Sequence, residues 1–301
     1  MPSSFSLMFM YTGHIRRTFT GAGLVSQMLR VDDDTTMHFW SPKSESAQKA
    51  SLVLIHGFGP PATWQWRRQV KYLAAEFNLY VPDLVFFGGS ESKSAERSEV
   101  FQAASVWKLI EKVGLQRFHV MGTSYGGFVA YNLAKMMGEE RVKKVVIASS
   151  GVNMTLHTNV DMVKGADMDN IEQLMLPSTP QHLRKLMSLS IHKPSQRVPD
   201  FILKDFLDEL YRDNRKEKVE LLKGITIGRN ETSNITPLPQ EVLIVWGDQD
   251  KIFPVQLAYE LKEVISQNAK LELIKDASHM PQMEKPREFN KVILQFLQEH
   301  S

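Results

Sequence analysis

Gly122-Thr123-Ser124-Tyr125-Gly126 is a Gly-x-Ser-x-Gly run set between an apolar strand pattern, Phe118 to Met121, and a helical pattern that follows. A chain that turns sharply from strand into helix strains the residue at the corner, and glycines two before and two after it keep the backbones from colliding. Ser124 would be held out at the strand's C-terminal edge, beside a helix N-terminus that favours developing negative charge. Gly127, Ala130 and Ala134 continue a small-residue face that lets this helix approach a sheet closely. The bland alternative is a strand-to-helix turn with no chemistry.

A serine hydroxyl is a poor nucleophile until a positioned base takes its proton. Of nine histidines, His279 lies in Asp276-Ala277-Ser278-His279-Met280-Pro281, a loop after the last apolar strand, where a side chain can reach the same sheet edge. His56 also follows a strand directly, but Gly57-Phe58-Gly59 beside it points to a backbone role for that turn. The others, including His119 and His300, show no ligand-type pairing, and no His-Glu-x-x-His occurs, so no metal site is expected. The imidazole needs a carboxylate to fix its tautomer. Val242 to Trp246 ends in Gly247-Asp248-Gln249-Asp250, and by chemistry alone either aspartate would serve; the chain order Ser, Asp, His suits a hydrolase elbow.

These residues need a sheet to carry them. Short runs at Ser51 to Ile55, Leu79 to Val81, Phe118 to Met121, Val145 to Ala148, Val242 to Trp246 and Leu271 to Ile274 are rich in Val, Ile and Leu and hardly alternate, the pattern of buried parallel strands. Met28 to Val31 and Thr35 to Trp40, joined by Asp32-Asp33-Asp34, read as an antiparallel hairpin. Trp66, Val70, Leu73 and Phe77 form one helical stripe, and Phe289, Val292, Ile293 and Phe296 another. The expected fold is therefore α/β, with a mostly parallel sheet flanked by helices. The alternation breaks from about 152 to 240, where several prolines punctuate amphipathic pieces. Leu183, Leu186, Met187 and Ile191 predict one apolar face there, and Phe201, Ile202, Phe206 and Leu210 a second. This divides the chain into a core, 1–151 with 241–301, and a helical insertion, 152–240.

Composition narrows the chemistry. The 301 residues carry 36 basic and 34 acidic side chains, a net charge of +2 that supplies no dense field for nucleic acid. The absence of cysteine excludes a disulfide framework and a thiolate nucleophile. Phe5 to Tyr11 is mildly apolar but too short for a secretory signal, with no basic residue ahead of it, and the chain holds no run of ~20 apolar residues. A cytoplasmic protein without a stable membrane anchor, acting on a small molecule and needing no cofactor, is the expectation.

His56-Gly57-Phe58-Gly59, Gly122 to Gly127, Trp246 to Pro254 and His279 with Glu284-Lys285-Pro286 together resemble the α/β-hydrolase superfamily across about residues 24 to 298. The resemblance is greatest to plant serine hydrolases related to monoacylglycerol lipases and to bacterial hydrolases of ring-cleavage products. It implies an acyl-enzyme mechanism with Ser124, His279 and Asp250 as the triad, and Asp248 as a turn residue. It further implies backbone N–H groups of Phe58 and Tyr125 as oxyanion donors, and the insertion as a cap over the pocket. Departures are Phe86 for the first glycine of Asp83-Leu84-Val85-Phe86-Phe87-Gly88-Gly89-Ser90, Ser278 for a glycine before the histidine, and Met280 where many ring-cleavage hydrolases carry tryptophan. Ester substrates are favoured over C–C cleavage on that last ground.

The pocket is expected to involve His56, Gly57, Met154, Met175, Met187 and Met280, with methionine thioethers giving an adaptable apolar wall. Arg184, Arg197, Arg212 and Arg229 are the candidate anchors for a charged substrate. Two rival readings stand beside the esterase. Gly57 to Ala62 fits a dinucleotide fingerprint with Asp83 as the ribose acid, but Pro60 and Pro61 remove N–H groups that a pyrophosphate needs. A ligand receptor, or a lyase or cyclase using the same capped pocket, is the other.

Overall fold

A computed structural model of the chain describes residues 6–195 and 198–299; Phe5, Arg197 and His300 lie outside the described residues. The order is α1 Leu7–Gly21, β1 Leu24–Arg30, β2 Thr35–Pro42, β3 Ser51–Ile55, α2 Ala62–Trp66, α3 Val70–Leu73, β4 Asn78–Pro82, β5 Glu91–Ser92, α4 Glu99–Lys112, β6 Phe118–Thr123, α5 Tyr125–Arg141 and β7 Val142–Ala148. There follow α6 Leu156–Gly165, α7 Ile171–Met175, α8 Pro180–Ser190, α9 Asp200–Leu210, α10 Arg215–Gly224, β8 Glu241–Gly247, α11 Gln256–Ile265, β9 Ala269–Ile274, α12 Pro281–Glu284 and α13 Pro286–Gln298.

The strands form one sheet in the order β1-β2-β4-β3-β6-β7-β8-β9, with β5 added to β2. β1, β2 and β4 pair antiparallel; from β4 through β9 the neighbours are parallel. Every residue of β3 and β4 is buried because helices cover both faces, which is why these runs do not alternate. β9 departs from that expectation. Its exposure alternates because it is the sheet's edge, with a neighbour on one side only.

Register brings the strand ends level: Ile55 pairs with Gly122, Thr123 with Ala148, Ala148 with Val245, and Gly247 with Ile274. The loops leaving β3, β6, β8 and β9 therefore emerge at one edge. From β3 the chain winds to β4 on one side, and later to β6 on the other. The crevice beside β3 and β6 is thus a point of topological reversal, where open α/β sheets place ligands.

Between β7 and β8 run five helices, α6 to α10, and no strand among the described residues. In α9 the fully buried face is Leu203, Leu207 and Leu210, while Phe201, expected on the apolar face, is 64% exposed. It stands one residue off the 202, 206, 210 row that faces inward. The stripe at 66–77 is also not one helix. Its four apolar residues are all buried, but the chain breaks between α2 and α3, where the buried Gln69 side chain donates to the Gln282 carbonyl and Asn290 Oδ1. The N-terminal segment forms a helix that the sequence reading did not assign. Ser6 caps it by accepting from the Phe9 N–H, and it buries Ile15 and Phe19. No helix among the described residues is long and apolar enough to cross a membrane.

Candidate active site

Ser124 stands at the β6–α5 corner with φ 50° and ψ −122°, a conformation that costs a side-chain-bearing residue free energy and marks a site worth explaining. The flanking glycines are what make the corner feasible. A Cβ on Gly122 would lie 2.0 Å from the Gly126 carbonyl oxygen, and one on Gly126 would lie 2.3 Å from that of Ile55. The Ser124 carbonyl is fixed by the Gly127 N–H at 2.8 Å and by the Ser150 hydroxyl at 2.6 Å. Ser150 carried no signal in the sequence.

The loop after β9 brings His279 to this corner. Its Nε2 lies 2.9 Å from Ser124 Oγ, and its Nδ1 lies 2.9 Å from Asp250 Oδ2. The other Asp250 oxygen accepts the Ile252 and Phe253 N–H groups at 2.8 and 2.9 Å, so the buried carboxylate is held through both oxygens. With Nδ1–H donating to Asp250, Nε2 is left to accept the serine proton. Both ring nitrogens of His279 are thereby taken, neither by Asp248, one of whose oxygens is buried with no hydrogen-bond partner among the described residues.

The histidine loop is positioned by contacts of Glu284 and Ser278 that the sequence named but could not show. Glu284 accepts the Ser278 N–H at 2.7 Å through one oxygen and the His192 N–H at 2.7 Å through the other. The Ser278 hydroxyl donates to the Leu189 carbonyl at 2.8 Å, so the serine standing in place of a glycine ties this loop to the end of α8.

Gly57 allows the β3–α2 loop to lie against the same corner, since a Cβ there would be 3.0 Å from the Thr123 carbonyl oxygen and 3.1 Å from Ser124 Cβ. Gln65 straps the loop: its Oε1 accepts the Gly57 N–H, and its Nε2 donates to the Gly57 and Pro60 carbonyls. The N–H groups of Phe58 and Tyr125 donate to no protein acceptor among the described residues, and Tyr125 is the first residue of α5. Two unpaired donors beside the serine are the arrangement that can receive an oxyanion.

His56 does not line the pocket. It is fully buried, accepts the Leu84 N–H on Nε2 at 2.9 Å, and donates from Nδ1 to the Gly57 carbonyl at 2.7 Å. Burial lowers its pKa, and its role is to tie two loops together. Asp83 is likewise occupied: it pairs with His38 at 2.8 Å and accepts the Ala62 N–H at 2.8 Å, so the dinucleotide reading loses its ribose acid. The Asp83 to Ser90 loop keeps a tight shape without its first glycine, because Phe86 itself takes φ 73°.

Two chambers, of about 460 and 610 Å³, open onto Ser124 and share Phe58, Met175 and Ile252 as walls. The smaller lies among Met154, Met162, Ile171, Leu222 and Phe253. The larger lies among Leu183, Met187, Phe206, Met280 and Trp64, with Gly57 and the buried Tyr211 also on its wall. Among the described candidates for a charged anchor, Arg184 is engaged with Asp200 at 2.6 Å, Arg212 lines neither chamber, and Arg229 reaches the smaller one.

Residues 50–286 match the α/β-hydrolase fold family. The chain is 25% identical over 303 aligned residues to human monoacylglycerol lipase ABHD6, covering 97% of this chain and 87% of that protein. It is 26% identical over 292 residues to the Pseudomonas putida 2-hydroxy-6-oxononadienedioate/2-hydroxy-6-oxononatrienedioate hydrolase 1, covering 90% and 96%. Among solved structures, carboxylesterase CesB from Bacillus subtilis superposes with a TM-score of 0.74 at 19% identity, covering 97% of this chain and 99% of that one.

Proposed function

The chain belongs to the α/β-hydrolase fold family, and from that premise we propose that it is a serine hydrolase cleaving a small or medium carboxylester. The observation that carries this reading is the continuous hydrogen-bonded relay from Ser124 Oγ through His279 to Asp250, set beside two unpaired backbone donors. Likeness to a monoacylglycerol lipase and a carboxylesterase fold supports it.

In this mechanism the ester carbonyl rests between Ser124 and the Phe58 and Tyr125 N–H groups. Oγ attacks the carbonyl carbon as His279 Nε2 takes the hydroxyl proton, and Asp250 stabilises the imidazolium that forms. The oxyanion is held by the two N–H groups and by the N-terminus of α5. Collapse breaks the bond to the alcohol, which leaves with the proton from His279. A water then attacks the acyl-serine, giving its proton to His279, and the acid departs with Ser124 restored.

The two chambers meeting at Ser124 suit the two halves of an ester, one for the acyl group and one for the alcohol. Both are walled mainly by aliphatic, aromatic and methionine side chains, so the preferred ester has an apolar body on each side. Without His56, the expected pocket reduces to Gly57, Met154, Met175, Met187 and Met280. The helices α6 to α10 act as its cap.

Labelling by a fluorophosphonate, together with turnover of an ester panel of increasing acyl length, tests the reading. Wild type should be labelled and Ser124→Ala should not; labelling that survives the substitution, or absence of turnover on every ester, overturns it. C–C hydrolysis of a ring-cleavage dienoate is a second reading, favoured by the Pseudomonas putida relative. Turnover of such a dienoate above every ester would put it first.

A further inference from the structure

Arg67, the C-cap residue of α2, is a half-buried cation that has no acidic partner among the described residues. It lines the larger chamber together with Ser124. Its guanidinium carbon stands 5.1 Å over the Trp64 ring, which Tyr11 meets edge-on, and one of its N–H groups donates to the Trp64 carbonyl. Its Nε–H is buried with no acceptor among the described residues.

Taking a guanidinium out of water without a counter-charge is costly, and stacking on an indole offsets only part of that cost. The group cannot escape by deprotonating. Its surroundings do not supply the missing anion. Arg68, which lines the same chamber at the surface, adds positive charge; Glu284, also on the wall, is turned to the Ser278 and His192 N–H groups and forms no ion pair with Arg67. A planar fork with unused donors matches a carboxylate better than any neutral group.

We propose that Arg67 anchors a carboxylate carried by the substrate, so that the preferred ester has an apolar body in the larger chamber and a terminal acid at the end remote from the scissile bond. This rests on the ester-hydrolase reading above, and the two can fail separately.

The test compares each free acid with its methyl-capped counterpart in two series. In one the carboxylate is on the acyl side, as in mono-p-nitrophenyl suberate; in the other it is on the alcohol side, as in acetyl esters of ω-hydroxy fatty acids. Wild type should prefer the free acid in one series by about tenfold or more in kcat/KM, chiefly through KM. Arg67→Met should bring that ratio close to one, and Arg67→Lys should keep part of it. Arg67→Gln serves if the methionine variant does not fold. A wild-type ratio near one in both series, or a preference that survives loss of the charge, overturns the proposal; a purely structural arginine would change stability and leave the ratio alone. If no ester is turned over, calorimetric titration of Ser124→Ala with octanoate and with octanol decides. Tighter octanoate binding that disappears on adding Arg67→Met keeps the anchor and removes the hydrolase reading, while equal binding removes both.

Discussion

Gly247 and Ser278 approach so closely that a Cβ on Gly247 would lie 2.0 Å from the Ser278 carbonyl oxygen and 2.4 Å from that of Ala277. The contact is backbone against backbone, next to the Gln249 N–H that donates to the Ala277 carbonyl at 2.9 Å. It seats the loop carrying His279 on the loop carrying Asp250. Gly247→Ala should therefore push His279 out of reach of its partners, and a displacement of about 1 Å costs ~100-fold in turnover. Steady-state kinetics on p-nitrophenyl esters should show that loss in kcat, in a protein whose circular dichroism is unchanged.

His119 gives the protein a pH dependence remote from the site. Burial, with Lys144 nearby, lowers its pKa to about 4, against 6.5 when unfolded. Above pH 6.5 both states are neutral and the residue contributes nothing to the dependence. Below it the unfolded chain takes up a proton that the folded chain refuses, so stability falls as pH drops from 6.5 toward 4, by up to about 3 kcal/mol. His119→Leu removes this loss, and its melting temperature should decline less than that of wild type between pH 7 and pH 4.

Phe86 shows packing overruling backbone preference. Its φ of 73° would suit glycine, and the left-handed region costs a side-chain-bearing residue about 1–2 kcal/mol. Yet its ring is buried beneath the Arg97 guanidinium at 4.5 Å, and removing such a ring costs about 3–5 kcal/mol. Phe86→Gly should accordingly destabilise by roughly 1–4 kcal/mol, the difference of those two ranges. Urea unfolding would report it; a gain in stability would mean that backbone strain dominates.

The sheet was legible because strands buried on both faces must read as unbroken Val, Ile and Leu runs, and the corner at Ser124 was legible because only glycine fits at 122 and 126. What stayed hidden was set by partners distant in sequence. Gln65 and Ser150 act through backbone groups that no local pattern names, and Glu284, present in the run after His279, gave no sign of the N–H groups it holds. His56 looked like a pocket residue from its place after a strand, while its bond to Leu84 depends on how two loops stack. Arg67 was overlooked for the opposite reason: in an amphipathic stretch an arginine reads as a solvated helix charge, and only the packing of Trp64, Tyr11 and the insertion encloses it.

The two neighbouring aspartates offer the sharpest separation of roles. Asp250 uses both oxygens, one on His279 and one on the Ile252 and Phe253 N–H groups. In Asp250→Asn one oxygen becomes an amide nitrogen. If that NH₂ faces His279, it meets the Nδ1–H donor and drives the imidazole to the wrong tautomer; if it faces the other way, it opposes two backbone donors. The first arrangement should lower ester turnover by about four orders of magnitude; the second keeps the tautomer but loses the charge that stabilises the imidazolium and leaves two buried N–H donors opposed, costing both turnover and stability. Asp248 has a buried oxygen without a hydrogen bond among the described residues and none to His279, so Asp248→Asn should retain most activity and unfold no earlier than wild type. Measured kcat and urea midpoints for the two variants check both halves, and loss of activity in Asp248→Asn with retention in Asp250→Asn would move the orienting role to Asp248.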